Sequence, residues 1–286
     1  MTLPTPLSSL ANLQTLPTST RLPVLFLGHG SPMNAIEDNE YRQSWQALGR
    51  EFGSKFGVPR LILCISAHWL TQGWQLTAMA QPKTIHDFGG FPQELIDQQY
   101  PAPGAPAEVA EISQSLLQPD SGHALGQDQS WGLDHGAWSV LKPMFPAADI
   151  PVVQLSMDYS RPPSEHFALG QQLRKLRDHG VLIVGSGNVV HNLRTMRFGV
   201  PSNQAYDWAI EFDNTVAKHV EAGDLAALAD FQNLGSVAKQ AHPSHEHYLP
   251  ILYAAGAVLP GETARAFNTN YQAASIAMRS YVWGGQ

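Results

Sequence analysis

A chain of 286 residues, 43% apolar and only 14% charged, is long enough to bury one large core and carries little solvated excess. Its formal net charge of −7, from 17 basic against 24 acidic residues without a Lys/Arg block, gives no support to a nucleic-acid or anionic-membrane surface. No apolar stretch reaches the length of a membrane span, and the single cysteine, Cys64, excludes an intrachain disulfide and fits a reducing cytoplasm.

Residues 1–22 are rich in Thr, Leu, Pro and Ser, without a basic start or a continuous apolar centre. They are expected to form a poorly ordered or surface-draped arm, not a signal peptide, ahead of one domain over 23–286. The expected order is strand 23–28, helix 40–55, strand 60–66 and strand 75–79, then a Gly/Pro-rich excursion from Gly89 to Gly104. Helix 106–117, helix 135–143, strand 151–155, helix 164–178, strand 181–186 and helix 205–221 follow. A helix over 248–257 and two antiparallel strands, 263–269 and 275–282, close the chain. Strands alternating with amphipathic helices predict an α/β fold: a single domain with a mostly parallel central sheet flanked by helices and an antiparallel C-terminal strand pair.

Histidines recur where these strands should end. His29 follows Leu25-Phe26-Leu27-Gly28, His68 follows Ile65-Ser66-Ala67, and His191 closes the run from Val181 through Gly185-Ser186-Gly187. A further cluster, His242, His245 and His247, precedes the last helix. Ligands of open α/β sheets bind at the carboxyl ends of the strands, so imidazoles delivered there can meet in one pocket. Each histidine alone is more often a hydrogen-bonded structural residue, but jointly they point to a mononuclear metal centre. The short spacings of a zinc finger or a zincin helix are absent. Ligands from separated loops suit an enzyme site.

The matching stretches Phe26–Asn34 (FLGHGSPMN), Ser66–Trp69 (SAHW), Thr84–Pro92 (TIHDFGGFP), Gly132–Trp138 (GLDHGAW), Ser186–Leu193 (SGNVVHNL) and Glu246–Pro250 (EHYLP) carry a resemblance. The chain resembles the class III, protocatechuate 4,5-dioxygenase-like superfamily of extradiol ring-opening dioxygenases, and within it the 4,5-DOPA dioxygenase subfamily. The resemblance implies His29, His68 and His247 as metal ligands. It places His191 beside the metal, suited to proton transfer and to serve as a fourth ligand at rest, and makes His135 a catalytic or substrate-facing residue. Other branches complete the ligand set with a glutamate, and Glu246 immediately precedes His247. Adjacent helical side chains diverge by about 100°, so one of the two faces the metal; the DOPA-type branch implies His247.

The implied reaction opens a catechol beside its hydroxyls with O2 at one non-haem ion, Fe(II) for activity, with Zn able to occupy the same imidazoles. Alternatives on the same residues are a zinc-dependent hydrolase and a non-catalytic, Memo-like binding protein. The expected partners are a small catechol and O2, with no nucleic acid and no membrane; a homo-oligomer is left open. His242 and His245 are expected as loop residues near the rim, and His86 and Asp87 as loop-fixing residues. Trp69 and Trp131 suit either a substrate wall or the core. Gly28-His29-Gly30 and Gly185-Ser186-Gly187 fit neither a P-loop nor a dinucleotide fingerprint, and their glycines are expected to let backbone approach the site.

Overall fold

The computed structural model describes residues 13–285, so residues 1–12 of the expected arm lie outside the described residues. The first half contains β1 (Val24–Gly28), α1 (Glu40–Glu51), β2 (Leu61–Ser66), β3 (Gln75–Thr77), α2 (Gln93–Ile96), α3 (Pro106–Ser115) and β4 (Gly126–Asp128). The second contains α4 (His135–Met144), β5 (Val152–Gln154), α5 (Pro163–Leu173), β6 (Val181–Gly187), α6 (Asp207–Glu221), α7 (Ser236–Ala241) and α8 (Leu249–Ala257). Four short strands end the chain: β7 (Ala264–Phe267), β8 (Tyr271–Gln272), β9 (Ile276–Ala277) and β10 (Ser280–Trp283).

The central sheet has the order β5-β2-β6-β1-β10-β7. Its first four strands are parallel, and β10 and β7 are antiparallel additions at one side. Successive side chains of a strand face opposite ways. Phe26, Leu63 and Ile183 accordingly join the core beneath α3, α5 and α8, whereas Leu27, Cys64 and Val184 join that of Trp45 and Trp138. Both faces are covered, which is why the strands read as continuous apolar runs.

The expected strand over 275–282 is two strands. Ile276–Ala277 pairs with Tyr271–Gln272, and the chain then shifts so that Ser280–Trp283 can pair with β1 and β7. Two expected helices also change form at their ends: α1 passes into a π-helical turn over Phe52–Phe56, and α5 into a 3-10 stretch over Arg174–His179. The described part of the arm lies on the domain surface and is held there. Leu13 and Leu16 are buried, Thr15 bonds Glu111 through its N–H and hydroxyl, and Leu22 N–H donates to Arg177 O. Among the described residues no helix is long and apolar enough to cross a membrane.

The register positions the site. Ser186 of β6 lies opposite both Leu27 of β1 and Ser66 of β2. His29 and His68 each follow two residues past those level positions, so both emerge on either side of β6 at the same height.

Candidate metal centre

His29, His68 and His247 converge: each offers a ring nitrogen within 4.8 Å of the other two. The first two arrive from β1 and β2. His247 arrives on a turn entering α8, where Tyr248 N–H and Leu249 N–H both donate to His245 O. That turn is seated on β6 by Asn188 N–H donating to His247 O at 2.8 Å. The approach requires Gly187, since a Cβ there would stand 2.1 Å from His247 O.

Hydrogen bonds fix which nitrogens face inward. His29 Nδ1 lies 3.0 Å from Ser186 Oγ, whose own proton goes to Gly136 O at 2.5 Å, so Nδ1 is the donor. His68 Nδ1 faces Asp87 Oδ2 at 3.2 Å. Both Nε2 atoms therefore present lone pairs, and they stand 3.3 Å apart. Two imidazole nitrogens bound at about 2.1 Å to one ion are roughly 3.0–3.4 Å apart at octahedral to tetrahedral angles. Two nitrogens at this distance share one proton or one ion, and with both Nδ1 atoms turned to Ser186 and Asp87 the donor set fits a mononuclear metal site. Oriented imidazoles with their second nitrogen engaged are the usual support of such a site.

The electrostatics agree. Burial presses His29 and His247 well below the ordinary histidine value, which keeps them neutral and able to ligate. Burial also opposes charge on His68, but the Asp87 hydrogen bond and the Asp134, Asp87 and Glu246 charges outweigh it and raise its pKa. Burial would raise Asp87, but its close pairing with His135 and His68 holds it well below the usual carboxylate range.

Asp87 does more than fix a loop. Besides His68, it accepts His135 N–H at 2.9 Å through Oδ1, and His135 Nδ1 stands 3.0 Å from the same oxygen but off the line of a hydrogen bond. His135 is the first residue of α4, placed by the N-cap Asp134. That buried carboxylate accepts from Ser66 Oγ at 2.5 Å, Gln154 Nε2 at 2.7 Å and Ala137 N–H at 3.2 Å. Two carboxylates to which the sequence pattern assigns no part in the site thus tie the β2 end to the α4 start. The available signal is an Asp inside the His86-Asp87-Phe88-Gly89-Gly90 segment.

His191 and Glu246 lie beside the trio, each offering a ligand atom near His247. The His191 ring is stacked on that of His247, with centroids 3.5 Å apart. Burial presses its pKa down to about 3, and no hydrogen bond among the described residues engages its ring nitrogens. Glu246 Oε1 lies 3.2 Å from His247 Nδ1.

His242 is not at the rim. It is 6% exposed, and its Nε2 lies 2.6 Å from Val189 O, anchoring the loop that carries His191. His245 is half-buried and stacked on Tyr159. His86 Nε2 does fix its loop, on Gln98 O at 2.9 Å. Trp69 and Trp131 stack on each other 5.8 Å apart, and Trp131 Nε1–H donates to Asp134 Oδ2 at 3.3 Å.

The family model described as "Catalytic LigB subunit of aromatic ring-opening dioxygenase" matches residues 23–281. The protein named 4,5-DOPA dioxygenase extradiol of Escherichia coli (strain K12) is 48% identical over 246 residues, covering 84% of this chain and 86% of that protein. Its namesake in Beta vulgaris is 36% identical over 260 residues, covering 90% and 94%. The crystal structure of an uncharacterized protein from Escherichia coli K12 superposes with a TM-score of 0.77 at 38% identity, over 92% of this chain and 100% of that one.

Proposed function

The chain belongs to the LigB family of aromatic ring-opening dioxygenases, and on that premise we propose that it opens a DOPA-like catechol beside its hydroxyls, with His29, His68 and His247 holding one Fe(II). The observation that carries this reading is the pair of Nε2 lone pairs 3.3 Å apart, with each Nδ1 committed elsewhere. An ion held by these residues would supply Lewis acidity to a catechol hydroxyl and the means to activate O2.

The protein's own groups do the rest. Ser186 Oγ and Asp87 hold the first two imidazoles in a ligating tautomer. His191 is neutral with unengaged ring nitrogens and accepts the catechol proton; the anion formed beside it then favours the imidazolium. The proton His191 takes up returns from it to the opening ring, and His135, with Nδ1 3.0 Å from Asp87 Oδ1, offers Nε2 to orient the substrate. Phe88, with its ring 5.5 Å from that of His135, lies where it can exclude water from this side.

Residues 23–286 act as a single catalytic domain in this reading, and the lone buried Cys64 suits the cytoplasm. The test is anaerobic loading with Fe(II), addition of DOPA or another catechol, and then admission of O2. A yellow ring-opened product that forms only with both iron and O2 is expected. Hydrolysis with zinc in the absence of O2, or ligand binding without turnover, would replace this function with the hydrolase or the binding protein.

A further inference from the structure

We propose that a cleft between α1 and α4, separate from the histidine centre, is a binding site for a small phosphate-bearing anion held by Arg42, Arg50 and Lys142. The cleft has a volume of about 510 Å³, within the range of small-molecule sites. Arg42, Gln46 and Arg50 line it from α1, and Lys142, Pro143 and Met144 from α4. The α1 residues recur every four positions, so they share one helix face. Gly49 lets the helices close behind it, since a Cβ there would stand 2.1 Å from Met144 O.

Charge makes this cleft unusual. No carboxylate lines it, in a chain whose net charge is −7. Among the described residues none of the three cleft cations has a carboxylate within 4.0 Å, as is also true of Arg60, Arg174, Arg194 and Arg197, but in this cleft three such cations line one cavity. Arg42 Nη1 reaches Ile36 O at 3.3 Å, and Lys142 Nζ reaches Gln99 O at 2.8 Å; both acceptors are neutral. Burial, and then the charge of Arg42, lowers the Lys142 pKa.

Helix dipoles account for part of the cluster. Arg50 and Lys142 lie in the last turns of α1 and α4, where a cation is favoured. Arg42 has no such reason. It is the third residue of α1, at the end that disfavours cations, and its Nε is buried without a partner. An anion in the cleft would pair with the Arg42 guanidinium and offset its repulsion with Lys142. Two guanidinium forks and one ammonium suit phosphate oxygens, and the apolar wall of Pro143 and Met144 accommodates an ester group. Lys142 lies seven residues beyond His135 on α4, roughly 10 Å along its axis, so an anion here would not touch the histidines.

The experiment is calorimetric titration of metal-loaded protein with inorganic phosphate and with glycerol 3-phosphate at low ionic strength. Saturable one-site binding is expected, weakened about tenfold or more by the combined Arg42→Gln, Arg50→Gln and Lys142→Gln substitutions, the scale of lost charge-assisted hydrogen bonds. The combined Lys218→Gln and Lys239→Gln substitutions elsewhere on the surface should leave it unchanged. Should the triple variant not fold, Arg42→Gln alone is expected to weaken binding about fivefold or more. Undiminished affinity in the folded variants, an equal loss in the surface control, or no saturable binding overturns the proposal. So does binding that survives the substitutions and vanishes on metal removal. Citrate binding more tightly than glycerol 3-phosphate would overturn the phosphate class.

Discussion

The imidazole of His191 lies flat on that of His247, with ring centroids 3.5 Å apart and planes 6° from parallel. An ion sits in the plane of the imidazole that binds it, so two rings stacked in this way are poorly placed to share one ion, although His191, Glu246 and His247 bring ligand atoms within 4.8 Å of one another. In the proposed function His247 is the ligand, and His191 is then left for proton transfer. His191→Gln is therefore expected to retain iron and bind catechol while losing about two to four orders of magnitude in turnover, the usual worth of a positioned acid–base group. Iron content and single-turnover absorbance on the same variant check this. Loss of iron in step with activity would make His191 a ligand.

The three imidazoles that converge should be separable from their neighbour Glu246. His29→Ala, His68→Ala and His247→Ala are each expected to strip most of the metal while circular dichroism stays native. Glu246→Gln should retain it, because the Glu246 carboxylate falls outside the trio formed by the other three. Elemental analysis of the four purified variants decides the order, and the reverse result at 246 and 247 would assign the carboxylate to the metal.

Asp87 joins His68 to His135 across two loops. Asp87→Asn keeps the shape but removes the charge that orients both rings. Metal affinity is expected to fall by roughly 10- to 100-fold, the usual consequence of losing a hydrogen-bond partner behind a ligand. Titration against a competing chelator measures it, and unchanged affinity would reduce Asp87 to a loop fastener.

Acid should unfold the metal-free protein through its buried histidines. Burial lowers the pKa of His166 to about 4 and that of His242 to about 3, each from an ordinary 6.5. The unfolded chain binds more protons than the native one below pH 6.5, so stability falls as pH drops through that window toward 4 and 3. The slope contributed by each histidine approaches about 1.4 kcal/mol per pH unit. Urea unfolding at pH 7, 6 and 5 in the presence of a chelator should show progressively earlier midpoints. A midpoint independent of pH would mean that these imidazoles protonate without unfolding.

Much of the site is legible in the sequence because strand ends announce themselves. Apolar runs broken by Gly or Ser place His29 and His68 at the carboxyl edge of the sheet, and the register that levels them on Ser186 follows from parallel pairing. Asp87 is not legible in that way. It lies in a Gly/Pro-rich loop without periodicity, and its role arises from partners 19 and 48 residues away, which no local pattern encodes. His242 departs from its expected place at the rim for a related reason: its neighbours Pro243 and Ser244 suggest a surface turn, while its ring packs inward against Phe212 and Tyr248. The strand expected over 275–282 looks continuous in the sequence because residue type does not reveal where pairing passes from one sheet to another.

Anaerobic titration of metal-free protein with Fe(II), each step followed by catechol and O2, tests most directly whether one iron per chain, held by three histidines, opens the ring. Activity should rise linearly and level at one equivalent of iron, with no product when zinc replaces iron. A plateau at two equivalents, or ring opening without iron, would contradict it.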